Sequence, residues 1–157
     1  MPSRRDRIRM TPEEIDAFIA ESRTLMVATV GADGQPHLVP MWYAILDGDI
    51  VFWTYRASQK VVNLRRDPRL TCLIESGEAY DELRGVSMQG TATIEEDLSR
   101  VRRAGEAILN RYAGPLDPAT QAGVAAMVAA QAPKRVSITF HPTRTTSWNH
   151  SKLAGTY

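Results

Sequence analysis

Residues 53–69 read WTYRASQKVVNLRRDPR and combine a short apolar run, a polar turn and a basic helical segment. Ser58 is a favoured N-cap residue, because its side-chain oxygen can accept a hydrogen bond from a free N–H of the first turn. The helix should end at Asp67, since the residue before Pro68 is driven out of the helical region. A helix start offers free N–H groups and the positive end of the helix dipole, so the segment predicts an anion site. The basic residues beside this start are Arg56 and Lys60. The alternative is a solvated basic helix between two strands.

Length and composition limit the classes of protein that the chain can belong to. Its 157 residues, 43% of them hydrophobic, suit a single domain over 1–157 with a substantial core. With 19 basic and 18 acidic residues the net charge is +1, so no nucleic-acid partner is predicted. No apolar stretch approaches the roughly 20 residues of a membrane helix, and the charged start lacks a signal-peptide core, so no membrane partner is predicted either. The single cysteine, Cys72, predicts a cytoplasmic protein in which this residue is a small buried hydrophobe.

The N-terminal half predicts a helix followed by an antiparallel meander. The first ten residues are basic and are predicted to form a mobile arm. Thr11, Pro12 and Glu14 then occupy the N-cap, N1 and N3 positions of a capping box, which predicts a helix start. Asp-Gly pairs at 33–34 and 47–48 predict turns between apolar runs. The strands expected around these turns are 25–30, 37–45 and 50–54.

The C-terminal half predicts further strands and two helices. The expected elements are strands at 70–75, 86–94 and 136–140 and helices at 98–112 and 118–131. Gly90, in the middle of an alternating strand, indicates a bulge or a close approach to the backbone. The last strand is expected to stop at His141-Pro142 and to leave 142–157 as a polar C-terminal tail. The chain therefore predicts an α+β fold of about six mainly antiparallel strands, curled into a small barrel.

The sequence lacks the patterns of most catalytic and metal sites. His37, His141 and His150 are far apart and have no paired cysteines, so no metal site is predicted. Neither a G-x-S-x-G elbow nor a glycine-rich phosphate loop occurs. The basic turn, the MWY run at 41–43 and the WNH run at 148–150 remain. A site with aromatic residues and anion donors but no nucleophile suits a cofactor that performs the chemistry itself.

Three stretches, in this order of elements, resemble a known family. They are SQKVVNLRRDPR at 58–69, VSMQGTATI at 86–94 and SWNHSKLAGTY at 147–157. The chain from about Thr11 to Tyr157 resembles the flavin/deazaflavin oxidoreductases of the pyridoxamine 5′-phosphate oxidase-like split β-barrel superfamily. A lysine followed by V-x-N-L-R-R-D-P is most similar to the branch that uses the deazaflavin coenzyme F-420, although FMN-binding relatives share much of the pattern.

The resemblance implies a homodimer with two equivalent cofactor sites at the subunit interface. It implies a cofactor phosphate at the strand-to-helix turn and a ring along the second and third strands, with further contacts from the partner's fifth strand and tail. The phosphate positions are Arg56, Ser58, Gln59, Lys60 and Asn63. The ring positions are Val39, Pro40, Met41, Trp42, Phe52, Trp53 and Thr54. The remaining contacts are Gln89 and Trp148 of the partner subunit. Coenzyme F-420 ends in an oligoglutamate tail, for which Arg65, Arg66 or the N-terminal arginines are candidates.

The predicted function is hydride transfer between coenzyme F-420 and a small planar conjugated organic substrate. The protein would hold the two flat molecules in contact and exclude water. The candidate proton donors, which the sequence does not rank, are Tyr43, His37, His150 and Tyr157. One alternative is an FMN-dependent oxidase or reductase of the pyridoxamine phosphate oxidase type. Another is a non-catalytic cofactor- or haem-binding protein.

Overall fold

Local sequence signals place the helices. The computed structural model of the protein describes residues 3–153. Its helices are α1 (Arg4–Arg7), α2 (Pro12–Glu21), α3 (Gln59–Arg66), α4 (Leu98–Ala113) and α5 (Pro118–Gln131). The predicted capping box begins α2, because the Thr11 hydroxyl accepts from the Glu14 N–H and the Thr11 N–H donates to the Glu14 carboxylate. The carboxylates of Asp97 and Asp117 cap α4 and α5 by accepting hydrogen bonds from first-turn N–H groups.

Seven strands form one antiparallel sheet. They are β1 (Leu25–Val30), β2 (Pro36–Met41), β3 (Tyr43–Leu46), β4 (Asp49–Tyr55), β5 (Arg69–Ser76), β6 (Arg84–Glu95) and β7 (Arg135–Asn149). Their hydrogen-bonded order is β2-β1-β5-β6-β7-β4-β3. Both predicted Asp-Gly turns form, and the second places Asp47 and Gly48 at positive φ, as the tightest hairpin turns require.

The predicted strand at 37–45 is wrong as a single element. The chain divides at Trp42 into β2 and β3, which lie at opposite edges of the sheet. One residue spans only about 3.5 Å of extended chain, so these two edges must approach each other at Trp42. The sheet therefore curls into a split β-barrel, and the division accounts for seven strands where about six were expected.

The last strand extends further than the sequence predicted. His141-Pro142 does not end it: β7 continues to Asn149, and its second half pairs with the first half of β6. The register shifts between Gln89 and Gly90, opposite this point. A Cβ on Gly90 would lie 2.0 Å from the His141 carbonyl oxygen, so the predicted close backbone approach is present and explains the glycine. Residues 142–149 of the segment predicted to be a tail are therefore sheet.

The inward side chains of the sheet form the core. Its largest fully buried members include Tyr43, Phe52 and Phe140, and Cys72 lies among them as the predicted small hydrophobe. Burial raises the pKa of the Cys72 thiol to about 12. Within the described part of the chain, no helix is both long and apolar enough to cross a membrane.

The described part of the N-terminal arm is not a solvated tail. Residues 4–7 form α1, and Met10 is buried in the core. The Met10 N–H donates to Ser147 Oγ at 3.1 Å, and the Asn149 N–H donates to the Ile8 carbonyl at 2.7 Å. The arm is therefore joined to the end of β7, a long-range contact that local sequence patterns do not reveal.

Candidate functional site

The strand-to-helix turn after β4 holds a lysine without a counter-charge. Lys60 lies in the first turn of α3, half-buried, and its Nζ donates to Thr54 Oγ1 at 3.0 Å. The Ser58 hydroxyl lies 3.3 Å from the same Thr54 oxygen. Among residues 3–153, no carboxylate forms an ion pair with Lys60. Desolvation lowers the pKa of this amine below its ordinary value, which is the effect of burying a cation without an anion beside it.

The other basic residues of this segment are already paired. Arg56 and Arg65 both reach the Glu96 carboxylate, at 3.5 and 2.5 Å. Arg69 forms a bidentate pair with Asp67, and Arg66 donates to the backbone carbonyl of Val30. The Arg69 side chain lowers the pKa of the Asp67 carboxyl to about 2. Lys60 is therefore the cation of this turn that remains available to a bound anion.

The start of α3 is open. Ser58 occupies the predicted N-cap position, but its side chain makes no capping hydrogen bond, because the hydroxyl points to Thr54 instead. The Val61 and Val62 N–H groups donate to the Ser58 carbonyl, so the N–H groups of Gln59 and Lys60 are the ones at this helix start that lack intrahelical partners. Lys60 Nζ, two hydroxyls and this helix start thus form one cluster, which we term the anion cradle (Thr54, Ser58 and Lys60 with the N-terminus of α3). Its donor set fits a phosphate.

Two of the predicted phosphate residues are engaged inside the fold. The Asn63 side chain is fully buried and donates to Thr29 Oγ1 at 3.0 Å. Its own oxygen accepts from Gln59 Nε2 at 2.9 Å. The bond to Thr29 ties α3 to β1, so Asn63 positions the helix that carries Lys60.

The strands predicted to hold the ring have unpaired edges close to the cradle. β2 pairs only with β1, and β3 covers β4 only from Asp49 to Phe52. The last residues of β4, which include Trp53 and Thr54, pair with β7 alone. Their outward backbone groups are free to bond a ligand. The β2 positions Val39 and Met41 are half-buried, whereas Pro40 is exposed.

Trp42 and Trp53 lie next to one cross-strand pair. Tyr43 is the register partner of Phe52, so the preceding Trp42 and the following Trp53 flank the same position. One face of the Trp42 ring stacks on Tyr112, with centroids 4.3 Å apart, and the side chain is still 54% exposed. Trp53 is covered by Arg135, whose guanidinium lies 4.2 Å from its ring centroid. Tyr112 and Arg135 were not predicted, because α4 and β7 reach this region only through tertiary folding.

Gln89 and Trp148 do not join the cradle in one chain. Gln89 is exposed at the β6 bulge and lines a groove of about 570 Å³ on the sheet, together with Thr29, Leu70 and Thr71. Trp148 packs over Gly85, where a Cβ would lie 2.3 Å from its ring. Gly85 is thus small so that the indole can lie flat on β6.

Among the candidate proton donors, Tyr43 has a structural role. Its side chain is fully buried, and its hydroxyl donates to the carbonyls of Ile19 and Ser22, at 2.5 and 3.1 Å. Burial raises the pKa of Tyr43 to about 12, which weakens it as an acid. Its ring lies under the Arg111 guanidinium, 4.3 Å away.

The histidines among the candidate donors differ in their surroundings. His37 lies on β2 opposite Thr29, and its Nδ1 is buried without a hydrogen-bond partner in the described chain. His150 begins the short helix after β7, where Nδ1 lies 3.0 Å from the Tyr80 carbonyl. The fourth candidate, Tyr157, lies outside the described residues.

The curled antiparallel sheet and its flanking helices define a split β-barrel protein. The family model described as pyridoxamine 5′-phosphate oxidase matches residues 11–149, and the chain belongs to this family. A search of curated proteins finds no match.

Solved structures with the same fold include several kinds of protein. The conserved hypothetical protein Rv2991 of Mycobacterium tuberculosis is 44% identical, covers 99% of this chain and 95% of its own, and superposes with a TM-score of 0.88. An F-420 reductase is 23% identical over 87% of this chain and 98% of its own, with a TM-score of 0.66. The haem storage protein HutZ of Vibrio cholerae is 18% identical over 89% of this chain and 96% of its own, with a TM-score of 0.64. At these lower identities the likeness concerns the fold.

Proposed function

We propose that the protein is an oxidoreductase that binds coenzyme F-420 and transfers a hydride between it and a small planar conjugated substrate. One observation carries the proposal: Lys60 is half-buried at the open start of α3, and no carboxylate in the described chain pairs with it. A cofactor phosphate placed there would supply the missing negative charge.

The residues in and around the anion cradle would bind different parts of the cofactor. Lys60, Thr54 and Ser58 would hold the phosphate, and the bonds of Asn63 and Gln59 keep α3 in place behind them. The unpaired edges at Val39–Trp42 and Trp53–Thr54 would read the polar edge of the ring through backbone groups. When bound, the deazaflavin supplies the hydride chemistry, and the protein orients the reactants and excludes water.

The sequence around the cradle favours the deazaflavin over FMN. Lys60 is followed by V-x-N-L-R-R-D-P, the pattern most similar to the F-420-dependent branch. An FMN oxidase and a haem-storing protein are the alternatives, and both occur on this fold. His150 Nδ1 already lies against the Tyr80 carbonyl, and no observation in the described chain favours haem ligation by this histidine.

The proposed active form is a cytoplasmic homodimer. The site lacks Gln89 and Trp148 in a single chain, so a second subunit would complete it. Leu38 on edge strand β2 is 58% exposed, and an exposed apolar residue of this kind suits coverage by a partner. Light scattering on the purified protein tests the dimer, and a monomer at all concentrations would contradict it.

Fluorescence titration of purified protein with coenzyme F-420 and with FMN tests the cofactor. Lys60→Ala should weaken F-420 binding by about 1.5–3 kcal/mol, the scale of a hydrogen bond to a charged group. Arg102→Ala is the control for the loss of one positive charge, because Arg102 is exposed on α4 and is not among the predicted cofactor contacts, so the affinity should change little. An unchanged dissociation constant for Lys60→Ala would place the phosphate elsewhere. Tight FMN binding without F-420 binding would contradict the deazaflavin assignment.

A further inference from the structure

The N-terminal arm and the second half of β7 enclose a basic cleft that lies outside the anion cradle. The cleft has a volume of about 500 Å³. The residues that line it are Arg5, Arg9, Met10, Ile15, Arg144, Thr145, Thr146 and Ser147. No carboxylate lines it within the described chain, so three arginines and several hydroxyls face one space.

The three arginines of the cleft differ in how far they are engaged. Arg144 is exposed, and no described residue forms a hydrogen bond or ion pair with its guanidinium, whereas the charge of exposed Arg5 acts on the Asp6 carboxylate beside it. Arg9 is partly engaged, with its guanidinium 3.3 Å from Asp6 Oδ1. Like charges held together raise the energy of the empty cleft, and a bound anion relieves this repulsion.

The arm is held in the position that forms the cleft. The backbone bonds of Met10 and Asn149 attach it to β7. Lys152 Nζ adds a bond to the Arg9 carbonyl at 2.9 Å and a contact with the Glu14 carboxylate at 2.5 Å. The arginines are thus brought together by several independent contacts.

An apolar cavity adjoins the basic cleft. It also measures about 500 Å³ and lies between α2, the β3–β4 hairpin and the bend of β7. Its apolar lining consists of Ile15, Ile19, Ala20, Ile45, Ile50, Met88 and Pro142. Asp16, Gly48, Asp49 and Thr145 complete it. Ile15 and Thr145 line both spaces, so the apolar cavity and the basic cleft are neighbours that meet at these two residues.

We infer that the apolar cavity and the basic cleft together bind an amphipathic carboxylate. Its hydrocarbon chain lies in the apolar cavity, and its head group binds Arg144 and Arg5. The planar fork of arginine matches a carboxylate, and the apolar wall removes the chain from water.

This site is separate from the anion cradle. Tyr55, just before the cradle, pairs with Arg135, whereas the cleft lies beside Arg144 further along β7. At roughly 3.3 Å per residue, about 30 Å of strand separates the two points in one chain. Arg144 is the register partner of Gln89, which the proposed dimer would bring to the cofactor site of the other subunit, so the binding test is made on cofactor-free protein.

Calorimetric titration of the full-length, cofactor-free protein with dodecanoate tests the site. We expect one dodecanoate per chain, with dodecanol binding at least about tenfold more weakly because it has the chain without the charge. Acetate, the charge without the chain, should not bind detectably. Equal affinities for dodecanoate and dodecanol, or several bound molecules per chain, would overturn the inference.

Two pairs of variants test the basic cleft and the apolar cavity separately. Arg144→Gln should weaken dodecanoate binding about tenfold, the effect of losing one exposed charge-assisted hydrogen bond. Arg102→Gln makes the same charge change on an exposed face of α4 and should leave the affinity unchanged. Ala20→Trp should fill the apolar cavity and abolish binding, whereas Ala125→Trp, on the exposed face of α5, should not. Equal effects within either pair would overturn the inference.

Discussion

At the scale of single residues, Lys60 shows how a ligand-binding residue can lower the folding stability of the ligand-free protein. Its amine is half-buried beside Thr54 and has no carboxylate partner in the described chain. The lowered pKa means that folding disfavours the protonated form. The ligand-free protein therefore carries a cost at neutral pH that a bound anion would offset.

Lys60→Met should make the ligand-free protein as stable as, or more stable than, the wild type at neutral pH. Between the lowered folded-state pKa and the unfolded value of about 10.4, the unfolded chain binds more protons, so wild-type stability rises with pH. The advantage of the variant should therefore shrink as pH increases through this window. Thermal melts across pH measure this, with exposed Lys134→Met as the control. A variant clearly less stable than the wild type at neutral pH would contradict the prediction.

Tyr43→Phe should lower stability by about 0.5–1.5 kcal/mol and leave turnover unchanged. The variant loses the buried bonds to the Ile19 and Ser22 carbonyls, but Arg111 continues to donate to both oxygens. Urea unfolding and steady-state rates test the two parts, with exposed Tyr55→Phe as the control. A large loss of turnover in a folded Tyr43→Phe protein would instead assign the hydroxyl to catalysis.

At the scale of elements, the pairing of β6 with β7 depends on backbone contact at Gly90. The strands come so close at the bulge that the His141 carbonyl occupies the space of a Cβ. The same bulge changes the direction of β6 beside the groove that Gln89 lines. The glycine is thus required by packing between backbones.

Gly90→Ala should destabilise the protein by about 1–3 kcal/mol, the usual cost of overpacking. Gly123→Ala is the matched control on α5, where a Cβ would meet nothing within 4 Å. There the change should stabilise the helix by up to about 1 kcal/mol, because alanine has less freedom to lose on folding. Urea unfolding compares the two variants, and equal effects would show that the contact at Gly90 is relaxed in solution.

At the scale of the whole molecule, the two ends of the described chain are one structural unit. The arm reaches β7 through Met10 and Ile8, while Lys152 after β7 contacts Glu14 in α2. These contacts bring together residues more than a hundred positions apart. They also form the basic cleft, which exists only while the arm stays attached.

Ser147→Ala should lower stability by about 1–3 kcal/mol, because it leaves the Met10 N–H without its partner. Amide exchange at Met10 should become faster in the variant, which localises the effect to the arm. Ser151→Ala, an exposed change four residues further along the chain, should stay within about 0.5 kcal/mol of the wild type. Unchanged exchange at Met10 would mean that the core contacts of this residue hold the arm without the hydroxyl.

The amino-acid sequence determined the elements whose signals are local. The capping box at Thr11, the Asp-Gly turns, the end of α3 before Pro68 and the bounds of α5 all depend on neighbouring residues, and each was predicted. The resemblance of residues 58–69 to a family also located Lys60. Only the tertiary structure decided which cations remain free, because Glu96 neutralises Arg56 and Arg65 by long-range contacts that no local pattern encodes. It also decided that Trp42 divides a strand between two sheet edges and that residues 143–149 belong to the sheet. Polar residues in a strand pair as well as apolar ones when the partner strand is present, so composition alone made this stretch look like a tail.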